Sequence, residues 1–243
     1  MFQYDERKLK DQLLELIRLA ATDLPKDVVE SIQAAYTDEP EGSAAKSVFG
    51  MILKNIELAR AESTPICQDT GTNIYLVYIP EGVGMRKLTA LIKEATAEAV
   101  DKSYLRPNAV DSLTGKNSGN NIGEGQPSIH FEEWDNDFIE IKLMLKGGGC
   151  ENVSTQYKLP DVGLGAGRDL DGVYKVIVDA VNQAQGLGCA PGILGIGIGG
   201  DRAASHLGAK TQLFRKMTDT NSNPDLAVLE TKVKRDLNKL GVV

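Results

Sequence analysis

The sequence predicts a mixed α/β (α+β) fold, with a small mixed sheet flanked by helices and a helical N-terminal subregion. Three observations predict it. Apolar residues recur at helical spacing through residues 1–62. Short β-rich runs begin only after that point. Strand-like and helical segments then follow one another to the C-terminus, a pattern of mixed architecture. The expected organisation is a single domain over 1–243, with the helical subregion at about 1–62 and the mixed part at about 63–243.

The first helix is predicted from Leu9, Leu13, Leu16 and Ile17, with Ala20 continuing the stripe. Pro25 suits the first turn of a second helix carrying Val28, Val29 and Ile32. A third helix over about 43–61 would carry Val48, Met51, Ile52 and Ile56 on one face. Residues 73–80 (NIYLVYIP) read as a short strand, and 87–103 as a helix. Residues 107–127 are polar, Asn- and Gly-rich and aperiodic, so they read as a long functional loop. Two β-like runs flank the turn-former Asp135-Asn136-Asp137. In the second of them Ile139, Ile141, Leu143 and Leu145 alternate with more polar residues, as in a half-buried strand. Beyond it come a helix over 171–185, a Gly-rich buried strand over 192–198, and helices over 202–216 and 224–240.

Composition narrows the function classes. Of the 243 residues, 42% are hydrophobic and 25% charged, the balance of a soluble globular protein. The net charge of −7 gives no general attraction for nucleic acid or anionic membranes. No apolar run approaches the ~20 residues that span a bilayer. Residues 1–10 are polar and charged, with no signal-peptide core, so the cytoplasm is the expected location.

Three cysteines make no disulfide framework and point to thiol chemistry, metal binding or burial. Each lies in a turn-rich loop beside an expected strand: Cys67 before 73–80, Cys150 after 139–145, Cys189 before 193–198. Glycines around them let backbone approach a bulky inorganic group and aim N–H groups at it. Three unrelated buried thiols remain the plain alternative, since cysteine is among the most buried residue types. A structural zinc site normally wants four ligands at short paired spacings, which this chain lacks; His130 and His206 read as surface or supporting residues. Three thiolates suit a [4Fe–4S] cluster with one iron left open, able to act as a Lewis acid on a substrate hydroxyl. Gly195, Gly197 and Gly200 match G-x-G-x-x-G, but the glycines lie inside the apolar run rather than after a strand, which argues against a dinucleotide site. Lys146-Gly147-Gly148-Gly149 lacks P-loop spacing and reads better as an anion-binding nest.

Thr64-Pro-Ile-Cys-Gln-Asp-Thr-Gly71, Lys146-Gly-Gly-Gly-Cys-Glu-Asn-Val-Ser154 and Gly188-Cys-Ala-Pro-Gly-Ile-Leu-Gly-Ile-Gly-Ile-Gly-Gly200 together resemble the α part of class I fumarases and L-tartrate dehydratases. The stretches Tyr104-Leu-Arg-Pro-Asn108 and Asn117-Ser-Gly-Asn120 fit the same pattern, and the similarity runs over nearly the whole chain. The resemblance implies a [4Fe–4S] cluster held by Cys67, Cys150 and Cys189. It implies that Gln68 and Asp69 face the substrate, that Asp69 helps in proton transfer and that Arg106 pairs with a substrate carboxylate. Arg offers a planar fork for such a group, and a tuned carboxyl can serve as acid or base. The plain alternatives are a turn-capping Asp69 before Gly71 and a solvated Arg106 at a helix end.

The resemblance also implies a second, β part that completes the active site, here expected as a separate subunit, in an α homodimer or an α2β2 assembly. Family α chains continue into another Gly-rich segment past the position of Val243, so a truncated or shorter variant is expected. The expected activity is hydro-lyase chemistry on a C4 dicarboxylate, fumarate/malate first, with L-tartrate and mesaconate as rivals. From other classes come a non-catalytic iron–sulfur redox or iron sensor and a metal-free scaffold.

Overall fold

The computed structural model describes residues 4–242; Met1, Phe2 and Gln3 of the expected helical subregion, and Val243, lie outside the described residues. The chain forms two compact units, Met1–Gly148 and Gly149–Val243.

In the first unit, helix α1 (Glu6–Thr22) starts where the Asp5 side chain accepts from Lys8 N, satisfying one of the otherwise orphaned first-turn donors. Leu13, Ile17 and Ala21, spaced by four, form its buried stripe. Each large aliphatic residue so buried is worth about 1.5–3 kcal/mol relative to exposure. Pro25 stands at the N-cap of α2 (Lys26–Asp38), one position ahead of the expected first turn. Helix α3 (Ala44–Glu62) is capped by Ser43, whose hydroxyl accepts from Lys46 N. Its buried face keeps Ile56, and Ile52 in part, from the expected one but not its other two residues. Phe49, Ile56 and Ala59 are buried, and Ile32 of α2 packs with the first two, whereas Val48 and Met51 are exposed, Met51 at 63%. The helix is rotated so that Phe49 rather than Val48 takes the contact with α2.

Strand β1 (Thr72–Ile79) is central in a three-stranded sheet of order β2-β1-β3. It pairs in parallel with β2 (Ser128–Glu133) and antiparallel with β3 (Glu140–Lys146). The turn at 135–137 therefore joins two strands that do not pair with each other; β1 lies between them. Tyr75 faces Ile129 on one side and Leu143 on the other, and Val77 faces Phe131 and Ile141. Because side chains alternate across a sheet, these residues share one face. It packs on α1 and on α4 (Met85–Asp101), which contributes Leu88, Leu91, Ile92, Ala95 and Ala99. The expected alternation of Ile139, Ile141, Leu143 and Leu145 is this face.

Between β3 and the second unit, α5 (Gly148–Asn152) is a single short turn that the sequence pattern did not suggest. In the second unit, α6 (Leu170–Ala184) packs against α8 (Pro224–Leu237) through Val173, Ile177, Leu229 and Val233. Asp169 caps α6, and Asn223 caps α8 just ahead of Pro224. Helix α7 (Arg202–Gln212) ends before the expected Lys216, and α8 before Leu240. Residues 192–198 are not a strand. They run as irregular backbone so close to α7 that a Cβ on Gly195 would collide with Ala209 O, and one on Gly197 with Ser205 O. The alternating glycines mimic a strand pattern but serve helix contact, with Ser205 Oγ donating to Gly197 O.

Candidate functional site

Cys67, Gln68 and Asp69 occupy the loop that leads into β1, and all three are exposed. The loop is anchored by the residues that follow. Thr70 and Gly71 are buried, and Gly71 has φ +76, with its Cα pressed on the Lys146 backbone so that no Cβ would fit. Only glycine combines that backbone conformation with that approach.

Asp69 is the most heavily tied side chain of the loop. Its Oδ1 accepts from Gly71 N (2.9 Å) and from Asn108 Nδ2 (3.0 Å), and its Oδ2 accepts from Gly148 N (2.7 Å). The turn-capping bond to Gly71 is thus present, but it is one of three. The carboxylate joins three segments of the first unit: the start of β1, the 107–127 loop, and the glycines that follow β3.

Arg106 lies beside this centre. Its backbone N donates to Thr70 Oγ1 at 3.2 Å, and Asn108 Nδ2 lies 3.3 Å from the same hydroxyl. The Arg106 residue is exposed. Its segment is held from behind by Asn121, which is 4% exposed with φ +59. Asn121 Oδ1 accepts from Asn108 N (2.8 Å) and Ala109 N (3.0 Å), and its Nδ2 donates to Arg106 O (2.8 Å). Asn117 Nδ2 donates to Pro107 O at 2.6 Å. The structure therefore brings the Gln68–Asp69 loop and the Arg106 segment together. Thr70, Asn108, Asn121 and Gly148 are the positioning groups that sequence reasoning did not assign. The one available signal was the density of Asn between 107 and 127.

In the second unit, Cys150 sits half-buried on α5 and Cys189 is exposed in the loop after α6. The two loops touch: a Cβ on Gly149 would lie 3.7 Å from Leu187 O, and one on Gly188 would lie 3.3 Å from Val153 Cγ2. Lys210 Nζ reaches Glu151 Oε1 next to Cys150. Among the described residues, no three His, Cys, Asp or Glu side chains are gathered as a metal site. The donor chemistry nevertheless fits an iron–sulfur cluster. Cys67 and Cys189 are exposed in loops and Cys150 is half-buried on the short α5, none of them inside an apolar core, and the Cys150 and Cys189 segments adjoin. No helix among the described residues is long and apolar enough to cross a membrane.

The family model described as fumarate hydratase (Fumerase) matches residues 10–242. A Geobacillus stearothermophilus protein, provisionally named a class I fumarate hydratase, is 48% identical over 97% of this chain and 46% of its own length. A Methanocaldococcus jannaschii protein, provisionally named an L(+)-tartrate dehydratase subunit alpha, is 33% identical over 97% of this chain and 82% of its own. The L(+)-tartrate dehydratase subunit alpha of Escherichia coli K12 is 27% identical over 97% and 76%. The chain spans about half the length of the first of these relatives. With a family match over nearly its whole length, the chain belongs to the fumarate hydratase (Fumerase) family.

Proposed function

We propose that this chain is the cluster-carrying part of a hydro-lyase that interconverts fumarate and malate, and that a second polypeptide part completes its active site. The observation that carries the reading is the Asp69 carboxylate, held by Gly71, Asn108 and Gly148 within one residue of Gln68 and two of Cys67. The family membership and the relatives named as alpha subunits support it.

Hydration adds a hydroxyl to one alkene carbon and a proton to its neighbour. Asp69 carries a proton to or from the substrate at its carboxylate, and its three donors fix where that carboxylate stands. Gln68 hydrogen-bonds the substrate. Arg106, its backbone pinned on Thr70, takes a substrate carboxylate as a bidentate partner. Cys67, Cys150 and Cys189 would hold a [4Fe–4S] cluster, which would supply Lewis acidity toward the substrate hydroxyl. A reducing cytoplasm suits such a group.

L-tartrate is the second reading, favoured by the names of two of the relatives. Malate and L-tartrate differ by one hydroxyl, which a pocket discriminates strongly only where it is built to hydrogen-bond that group, so kinetics must decide. The test is oxygen-free reconstitution with iron and sulfide in the presence of the completing part, followed by assay on fumarate, malate, L-tartrate and mesaconate. About four irons per chain are expected, lost in Cys67→Ala, with turnover lost in Asp69→Asn. Full activity of Asp69→Asn would remove the catalytic role of Asp69. Bound iron without turnover of any dicarboxylate would favour a redox or iron sensor.

A further inference from the structure

The hydro-lyase reading assigns Asp69 and Arg106 to the substrate, but it does not say what sets them relative to each other. They sit on separate loops, which Asn108 and the Arg106 backbone link through bonds to Asp69 and Thr70, and the Arg106–Ala109 segment that makes those bonds is held by one side chain. Asn121 is buried, at 4% exposure, and uses both ends of its amide. The Oδ1 end receives two consecutive backbone N–H groups, of Asn108 and Ala109, and the Nδ2 end donates to the carbonyl of Arg106. The four-residue stretch Arg106–Ala109 is thus gripped at Arg106, Asn108 and Ala109. On the far side of that stretch, Asn108 Nδ2 reaches Asp69 Oδ1 and Arg106 N reaches Thr70 Oγ1. Asn121 also adopts a left-handed backbone, φ +59, which Asn and Gly tolerate better than other residues.

We propose that Asn121 is a positioning residue that sets the Arg106 guanidinium and the Asp69 carboxylate at the separation a dicarboxylate substrate requires. This rests on the hydro-lyase reading above. Asn121 itself touches neither substrate nor cluster. It acts through the backbone of Arg106 and through the side chain of Asn108, so its loss displaces both ends of the substrate grip at once. Displacement on the order of 1 Å of a positioned group can cost about 10²-fold in rate.

The experiment compares Asn121→Gly and Asn121→Asp with wild type in the reconstituted complex that contains the completing part. Glycine keeps the left-handed backbone available and removes the clamp. Aspartate keeps the two accepted N–H bonds, loses the donation to Arg106 O and sets a carboxylate oxygen against that carbonyl. Asn121→Gly is expected to raise KM for the dicarboxylate and lower kcat, with kcat/KM down about 10²-fold. Asn121→Asp is expected to recover most of kcat while KM stays raised, because the Asn108 side of the clamp survives and the Arg106 side does not. A merely structural role would lower thermal stability of both variants and leave the constants of the folded fraction unchanged. Wild-type kcat and KM in folded Asn121→Gly would overturn the proposal. Failure of wild type to turn over any dicarboxylate would instead sink the hydro-lyase reading. The clamp is then judged by amide hydrogen exchange: faster exchange at Asn108 and Ala109 in Asn121→Gly supports it, and unchanged exchange overturns it.

Discussion

Asn108 donates from Nδ2 to Oδ1 of Asp69 at 3.0 Å, across a sequence separation of 39 residues. The same nitrogen lies 3.3 Å from Thr70 Oγ1. One amide therefore ties the 107–127 loop to the loop that carries Cys67, Gln68 and Asp69.

This tie makes a charge-reversal-free test possible. Asn108→Asp keeps the size of the side chain but sets an acceptor against the Asp69 carboxylate. Like charges in contact repel, and the donor is lost as well. Activity of the completed enzyme is expected to fall at least tenfold, which corresponds to about 1.4 kcal/mol. Asn108→Ala removes the donor without adding charge and should fall less. Steady-state kinetics with a circular-dichroism check of folding decides it; equal losses in the two variants would show that repulsion plays no part.

Gly71 is the hinge of the same loop. A methyl group there would strike the Lys146 backbone and would have to adopt φ +76. The left-handed conformation alone costs an ordinary residue about 1–2 kcal/mol, and overpacking adds about 1–3 kcal/mol. Gly71→Ala is expected to lower the stability of the first unit by at least 2 kcal/mol on these scales. It should also loosen the Thr72–Lys146 end of the β1–β3 pairing, seen as faster amide exchange there. Gly82→Ala, also at positive φ but with open space around it, isolates the conformational part of the cost.

Arg215 sets a pH dependence in the second unit. Its Nε and Nη2 donate to Asp219, and its Nη1 donates to Glu230 Oε1 at 2.7 Å; Asn221 Nδ2 donates to the same oxygen. Hydrogen bonding to Arg215 holds the carboxyls of Asp219 and Glu230 below their ordinary values. A carboxyl depressed in the folded state adds stability that is complete above its unfolded pKa and lost as pH falls through the folded value. Arg215→Met should therefore be less stable than wild type at pH 7. The Arg215–Glu230 contact is half-exposed, so its share is at most about 1 kcal/mol. The gap should narrow below about pH 4, where carboxyls protonate. Thermal melts at neutral and acid pH measure it, and a gap independent of pH would remove the electrostatic explanation.

Much of the first unit was legible because its periodicities are simple. Leu13 and Ile17 announce α1, and Ile141 and Leu143 announce the covered face of β3. The order β2-β1-β3 was not legible, since a turn at 135–137 is equally compatible with neighbouring strands. Val48 and Met51 were misassigned because α3 is apolar on more than one side, and only the position of α2 selects Phe49. The cysteine loops stood out by their glycines. Asn121 did not, because what it does depends on backbone groups brought to it by the fold, which no local pattern encodes.

The strand expected over 192–198 failed for a reason that can itself be tested. Alternation of Ile and Gly from Gly195 to Ile198 looks like a pleat, yet the glycines are the contact. Gly195 and Gly197 let the segment lie directly on the α7 backbone at Ala209 and Ser205, while Ile196 packs with the α6–α8 core. A methyl at Gly197 must push segment and helix apart, at about 1–3 kcal/mol for overpacking plus the lost contacts. Gly192→Ala is the matched control, because a Cβ there meets nothing within 4 Å. Gly197→Ala is expected to melt several degrees below Gly192→Ala and to be cleaved faster between Gly192 and Gly200 by a nonspecific protease. If the two variants melt together, the close approach to α7 is not what the glycines are for, and the anion-cradling role of a Gly-rich loop becomes the better account of the motif.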